Sequence, residues 1–455
     1  MMNFNICVLG YNYNYKKFLS HIKDKRTQYR LRLLDKSKNI KNIDSKYLKE
    51  KIIKEQIKFL ALCSSEFIPF ISENIDFLIK NKVKIVQASN NYEVINHGFI
   101  IKKPFTSYSF EELFLREILK LNEKNIYNIF KNKIILITGG AGSIGSGLVK
   151  KLLKLDIKKI HVIDNSEYNI FRLKESINAK DIKKLKFSLT NIENFHLLDL
   201  DFKKIKPHIV FNAAALKHVT FLEGNAKQGL MTNVLGTHNV VSAASRSKAK
   251  YFIHISTDKA ADPKNILGYT KLISEFVCNN FKKTKMKIGV VRFGNVFNSY
   301  GSVAETFKNN ISNAKKIKLS HPNVERFFMS ITEATNLIIS SVELISVKKI
   351  GNECRTFICD MGEPIKIKDL ATKMLYLSGR NPNKYISQSY YGLAKNMEKI
   401  TENLISKNEK IIKITNNGIL EIIGKYKSAN LKKINKIIYS KLDNKSIKKE
   451  IKLLI

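Results

Sequence analysis

The chain has 455 residues, with 80 Lys and Arg against 39 Asp and Glu, giving a formal net charge of +41. That length allows two or three domains of about 100–200 residues each, and 44% hydrophobic residues exclude a mainly disordered protein. Only ten of the basic residues are Arg, and the lysines are spread along the whole chain; with the bidentate base-reading fork so scarce, the charge reads as solvated faces and no nucleic-acid partner is expected.

Residues 1–125 alternate short apolar runs with helical patterns. Phe4–Leu9, Phe59–Ser64 and Val83–Ala88 read as strands, and Phe67–Ile79 has helical spacing. The alternation predicts a small α/β domain with a parallel sheet. Gly10 follows its first strand in GYNYNYKK, which lacks the glycine pattern of a dinucleotide site. Phe110–Lys131 reads as an amphipathic connecting helix. The second region, 126–455, opens with the strand Lys133–Thr138, a glycine-rich turn and a helix from Ser143 to Leu155. Strands follow at Ile160–Asp164, Ile209–Asn212, Tyr251–Ser256, Ile288–Phe293 and Thr356–Cys359. The pattern predicts a doubly wound parallel sheet, the Rossmann α/β class. Its core is expected at about 130–295 with 345–362, and a substrate subdomain at about 296–345 with 363–455. From Asn408 onward the Lys/Ile/Asn-rich tail reads as helical.

The five Cys are irregularly spaced, three of them in or beside apolar segments, as expected of reduced thiols rather than a disulfide frame. The chain shows no leader pattern, and no run approaches the ~20 apolar residues of a membrane span. A soluble, cytoplasmic protein without a metal site is expected.

Gly139-Gly140-Ala141-Gly142-Ser143-Ile144-Gly145 follows a strand and opens a helix. Gly139 and Gly142 let the backbone turn tightly against a pyrophosphate, and Ser143 and Ile144 present amides at the helix N-terminus. Gly145 lets helix and sheet approach. Asp164 closes the next strand, followed by Asn165 and Ser166, where a carboxylate accepts from a ribose hydroxyl and selects NAD over NADP. Ala213, Ala214 and Ala215 end a later strand with side chains small enough for a cofactor to lie against the backbone.

A further strand delivers Ser256, Thr257, Asp258 and Lys259 to its C-terminal end, the edge where ligands bind in such sheets. Several proton-transfer groups at one strand end are hard to explain as packing. Here the sequence resembles the extended short-chain dehydrogenase/reductases, and more narrowly the polysaccharide-biosynthesis nucleotide-sugar 4,6-dehydratases that act on UDP-N-acetylglucosamine or close relatives. The resemblance is carried by ILITGGAGSIGSGL, FNAAALKHVTFLE, NVLGTHNVV, ISTDKAADPKNILGYTK, VVRFGNVFNSYGSV, HPNVERFFMSITEA and CDMGEPIKIKDLA, from Lys133 to about Ala371. Residues 1–125 are similar to the small nucleotide-fold domain that precedes the catalytic one in that family.

The resemblance implies a recycled NAD: hydride leaves sugar C4, a base takes the C5 proton, the C6 hydroxyl departs as water and the hydride returns to C6. It implies Asp258 as acid, Lys259 as C5 base, Thr257 beside the 4-hydroxyl and Lys271 on the nicotinamide ribose. Lys217, His218, Asn295 and Arg326 are implied substrate contacts, with Arg326 as a clamp on the diphosphate of a UDP-sugar. Asn233 in the same frame bridges elements structurally, and a homo-oligomer is expected.

Three departures qualify these implications. Leu267 stands where the superfamily's usual Tyr lies four residues before Lys271, which resembles the branch that retains C5 configuration, where Met occupies this place. The third strand ends in Ser188-Leu189 rather than Gly-Asp. Gly392–Lys399 reads GLAKNMEK where G-L-R-P-G-E-K is usual, keeping Glu398 and Lys399 but losing Arg and Pro. A C5-inverting dehydratase, an epimerase or a non-catalytic NAD-binding sensor therefore stay open as alternatives.

Overall fold

The protein is described by a computed structural model that covers residues 4–9, 29–35, 45–63, 67–87, 92–95, 98–101, 110–114, 119–347, 354–393, 397–415, 418–424 and 427–455. The chain divides into two compact units. The first comprises residues 1–117, 303–324 and 365–392; the second comprises 118–302, 325–364 and 393–455. The residues expected to form a substrate subdomain are thus shared between both units.

The first unit is built on a four-stranded parallel sheet of order β2-β1-β3-β4: β1 (Phe4–Leu9), β2 (Tyr29–Asp35), β3 (Ile57–Leu62) and β4 (Lys84–Gln87). α1 (Ser45–Lys54) leads into β3 and turns Leu48 and Ile52 inward, a four-residue spacing that forms one helical stripe. The helical stretch 67–79 is two short helices, α2 (Ile68–Glu73) and α3 (Ile75–Lys80). They part at Asn74, whose amide donates to Ile71 O and whose side chain donates to Ser45 Oγ at 3.2 Å. β2 has no counterpart in the sequence reading; its YRLRLLD pattern is interrupted by two arginines. The helices Val303–Ser312 and Ile367–Leu377 complete this unit.

The second unit holds a nine-stranded sheet of order β12-β13-β11-β10-β9-β8-β5-β6-β7. Its strands are β5 (Ile134–Thr138), β6 (Lys159–Asp164), β7 (Leu185–Leu189), β8 (Ile209–Asn212), β9 (Tyr251–Thr257), β10 (Lys287–Phe293), β11 (Arg355–Cys359), β12 (Glu409–Ile414) and β13 (Ile419–Gly424). The first seven pair in parallel and β13 joins β11 antiparallel. β8 and β9 are buried along nearly their whole length, as apolar strands covered on both faces must be. α4 (Ser143–Leu152) and α6 (Ile331–Ser346) pack against each other, and α6 lies on β10 and β9. α5 (Ile266–Asn279) lies against β9. This is the Rossmann sheet expected, and the order reverses between β5 and β8, where such sheets open a ligand crevice.

Two expectations fail locally. The connector over 110–131 is not one helix: Phe110–Phe114 and Glu123–Phe130 are separate, because 119–122 runs as coil with Leu119 O accepting Asn336 Nδ2. The tail begins with an antiparallel hairpin, β12–β13, rather than helix. Its anchor is Glu409, whose carboxylate receives Arg292 Nη1 at 2.7 Å and Nη2 at 2.8 Å. Such a pairing partner 117 residues away leaves no trace in local periodicity. Beyond it, Leu431–Ile438 and Asn444–Lys452 are helical as expected and bury Ile434, Ile437, Ile438, Ile447 and Ile451. No helix among the described residues is long and apolar enough to cross a membrane.

Candidate active site

The glycine-rich turn joins β5 to α4. Gly139 sits at φ +61°, and a Cβ there would lie 2.6 Å from the backbone N and Cα of Ala214. A Cβ at Gly145 would lie 2.2 Å from Gly139 O, so both positions admit only glycine. Asp164 ends β6 nearly buried and receives the amides of Ala141 and Ser166, each at 3.0 Å, one on each oxygen. The carboxylate therefore fixes the turn. Gly139, Gly142, Asp164, Asn165 and Ala213–Ala215 line one cleft of about 200 Å³. Thr190, Asn191, Ile192, Asn169 and Thr232 line it too and escaped the sequence reading, although TNI directly follows the third strand. Ser143 lies elsewhere: its hydroxyl accepts the amide of Tyr300 at 2.9 Å. Ile144 is half-buried against the core beneath.

Ser188 and Leu189, the departure at the third strand, divide in role. Ser188 Oγ donates to Asp201 at 3.0 Å, while Leu189 is 61% exposed.

Behind the cleft, strand register aligns three buried polar side chains: Thr138 on β5, Asn212 on β8 and His254 on β9 are successive cross-strand partners. Thr138 Oγ1 donates to Asn212 Oδ1 at 2.7 Å, and Asn212 Nδ2 lies 3.1 Å from His254 Nδ1. His254 Nε2 then meets Ser274 Oγ at 2.8 Å and Lys271 Nζ at 3.3 Å. Burial, with Lys271 second, holds the His254 pKa well below its ordinary value, so this ring is neutral. Lys271 donates to Ile255 O at 2.6 Å; burial brings its pKa down to about 8, against opposing pulls from Glu275 and Cys278. Sequence reasoning found Lys271 but not the chain behind it, in which Thr138, Asn212 and His254 meet through strand register and Ser274 joins from α5.

At the end of β9, Thr257 caps a single 3-10 turn, Asp258–Ala260. Asp258 is 1% exposed. Its Oδ1 accepts Thr257 Oγ1 at 2.9 Å and Lys259 Nζ at 3.0 Å. Its Oδ2 is buried and has no partner among the described residues. Lys259 Nζ also donates to Asn295 Oδ1 at 3.3 Å, which brings Asn295 into the cluster. A hydroxyl, a carboxyl with one free oxygen and an amine thus converge on one point. Beneath them Ser256 donates to Glu275 at 2.6 Å, and Arg292 binds the same carboxylate through Nε at 2.9 Å and Nη2 at 2.7 Å.

The remaining expected residues stand apart from this cluster. Lys217 is exposed and donates to Ser299 Oγ at 3.3 Å. His218 is exposed before a short helix, its pKa lowered by partial burial and by Lys217. Arg326 is buried, with Nη1 on the carbonyls of Glu325 and Ile400 and Nη2 on Glu398 at 3.0 Å. Asn233 bridges Leu216 N and O and Thr270 Oγ1, tying the Ala213–Ala215 loop to α5. Leu267 is buried in the apolar core, and half-buried Tyr269 lies under Lys452 Nζ instead of joining Lys271.

The family described as "Polysaccharide biosynthesis protein" matches residues 135–423. The chain is 35% identical over 302 residues to the probable polysaccharide biosynthesis protein EpsC of Bacillus subtilis, covering 66% of this chain and 49% of EpsC. It spans about half the length of the first curated relatives it matches. Among solved structures, Pen from Bacillus thuringiensis superposes with a TM-score of 0.59 at 32% identity, covering 66% of this chain and 90% of that one. DesIV of Streptomyces venezuelae, a dTDP-glucose 4,6-dehydratase, shares the fold with a TM-score of 0.51 at 18% identity, covering 59% and 87%.

Proposed function

The chain belongs to the polysaccharide biosynthesis protein family, and from that premise we propose that it is a nucleotide-sugar 4,6-dehydratase acting on UDP-N-acetylglucosamine with retention at C5. The observation that carries the reading is the buried Asp258, whose free Oδ2 sits beside Thr257 and Lys259 at the C-terminal end of β9. A carboxyl buried with one unsatisfied oxygen is costly, by about 1–3 kcal/mol, unless a ligand group meets it. A sugar hydroxyl is such a group.

The cleft of about 200 Å³ suits one part of a dinucleotide, its pyrophosphate and the adjoining ribose, by the same kind of argument. Gly139 and Ala213–Ala215 present bare backbone where any Cβ at 139 would collide, and Asp164, the last residue of β6, lines the same cleft, where it would accept from a ribose hydroxyl. Gly139, Gly142, Asp164, Asn165, Ser166 and Lys271 would hold NAD, which supplies a hydride acceptor and donor when bound. Thr257 orients the 4-hydroxyl. The 4-hydroxyl proton passes through Thr257 Oγ1 to Asp258, its hydrogen-bond acceptor. Asp258 gives a proton to the C6 hydroxyl, which leaves as water, and Lys259 Nζ, acting as the neutral amine, takes the C5 proton and later returns it to C5. Lys217, His218, Asn295 and Arg326 would hold the UDP-sugar, the Glu398 pairing of Arg326 being exchanged for phosphate. Leu267 removes the hydroxyl by which a tyrosine would serve as an additional acid, which favours retention. The catalytic chemistry belongs to the second unit, and residues 1–117 belong to the first, which also takes in 303–324 and 365–392; the active form is a cytoplasmic homo-oligomer.

The test is incubation of the chain with UDP-N-acetylglucosamine, other UDP-sugars and GDP-sugars in the presence of NAD, with NMR of the product at C4, C5 and C6. A 4-keto-6-deoxy product with unchanged C5 is expected, and Asp258→Asn should lower its formation at least 100-fold. An inverted C5 refutes retention, a C4 epimer refutes dehydration, and no turnover of any sugar nucleotide refutes the enzyme reading.

A further inference from the structure

The first unit contains a cavity of about 970 Å³ whose lining includes no residue assigned to the candidate active site. Its floor is the segment Lys82–Ile85 where β4 begins, the edge opposite the C-terminal strand ends at which such sheets ordinarily bind ligands. The facing wall is the helix Ile367–Leu377 with the segment 379–390.

Three observations give the cavity a chemistry. Lys82, Lys84, Lys368, Arg380 and Lys384 line it, and among the described residues no Asp or Glu does. Such a one-signed concave surface focuses the field on an anion of more than one charge. Second, Arg380 is held ready: its backbone amide donates to Leu375 O at 2.9 Å, Nη1 donates to the Tyr385 hydroxyl at 2.8 Å, and the guanidinium lies 4.8 Å over the Tyr385 ring. Yet its Nε is buried with no partner among the described residues. A planar fork fixed by stacking and left with an unmet donor suits a phosphate oxygen. Third, Tyr376, Tyr385 and Tyr390 also line the cavity and offer flat apolar surface next to the cations.

The walls are braced rather than adventitious. The Tyr376 hydroxyl donates to the Val83 carbonyl, joining the helix to the start of β4. Ile317 N donates to Tyr385 O at 2.7 Å and Ser387 N to Ile317 O at 2.9 Å, which fixes the end of the short helix Pro382–Tyr385. The volume lies at the upper end of the range for drug-sized and cofactor-sized ligands.

We propose that this cavity of the first unit is a binding site for a nucleoside diphosphate, with Arg380 on the diphosphate and the tyrosines against the nucleoside. The chain contains no Trp, so Tyr390→Trp in the full chain creates a single fluorescent reporter on the cavity wall. Titration with UDP and with ADP should give saturable fluorescence changes that weaken as KCl is raised, while uridine gives none. Adding Arg380→Met should weaken both titrations at least tenfold, with the melting temperature unchanged. Lys368→Glu, at an exposed position, should weaken them severalfold and serves if Arg380→Met does not fold. Absence of a saturable change with either nucleotide overturns the proposal, and so do affinities indifferent to Arg380 or Lys368. Inorganic pyrophosphate binding as tightly as the nucleotides overturns the nucleoside assignment.

Discussion

Lys271→Met separates the electrostatic cost of a buried lysine from its structural use. Lys271 is 3% exposed, and burial takes its pKa from 10.5 to about 8. The folded chain therefore holds this proton less tightly than the unfolded chain does. The sign follows: below pH 8 both states are protonated and the full cost is present, and it fades as pH rises from about 8 towards 10.5. The gap between the two values corresponds to about 3 kcal/mol. Methionine fills a similar volume without the charge, but it abandons the Ile255 carbonyl now held at 2.6 Å, a pH-independent loss of about 1–3 kcal/mol. The two effects nearly cancel at pH 7, so the slope is the test. Relative to the Met variant, the wild type should gain about 1 kcal/mol between pH 7 and 9, and about 2 to 3 kcal/mol by pH 10. Urea unfolding of both proteins at several pH values, followed by far-UV circular dichroism, reads this directly. A stability difference that stays flat across that window, or that moves the other way, refutes the assignment of a destabilising buried ammonium.

Gly139→Ala places a Cβ 2.6 Å from the Ala214 backbone at a positive φ; stability should fall by about 2 kcal/mol or more, and added NAD should no longer raise the melting temperature. Arg292→Met strands Glu275 and Glu409 in the interior, both of which the guanidinium now binds in bidentate fashion. The expected loss is about 3–5 kcal/mol. Hydrogen exchange should show β12 and β13 losing protection first, because Glu409 is what fastens the hairpin.

Legibility followed the range of the interaction. The turn from Gly139 to Gly145 and the buried runs of β5, β8, β9 and β10 were readable because glycine conformation and apolar periodicity act over a few residues. The STDK segment at the end of β9 and Leu267 four residues before Lys271 were readable for the same reason, since strand ends and helix offsets follow from local counting. The break in the helix at Asn74 was not, because it rests on a hydrogen bond to Ser45. Nor was the hairpin 409–424: its alternation of Ile and Lys is weak, and the deciding contact is the ion pair to Arg292. The chain of Thr138, Asn212 and His254 behind Lys271 arises from strand order, which no single strand encodes.

What the sequence alone determined, then, was the class of sheet, the glycine-rich turn after its first strand and the residue types at the candidate active site. Tertiary structure decided that Asp164 clamps the turn through Ala141 and Ser166, that Asp258 keeps one buried oxygen without a partner among the described residues, and that Arg380 stacks on Tyr385 beside four lysines in a cavity of the first unit. Composition could not separate those four lysines from the other sixty-six. Charge has a chemical meaning only where folding gathers it against a concave wall and removes the opposing carboxylates.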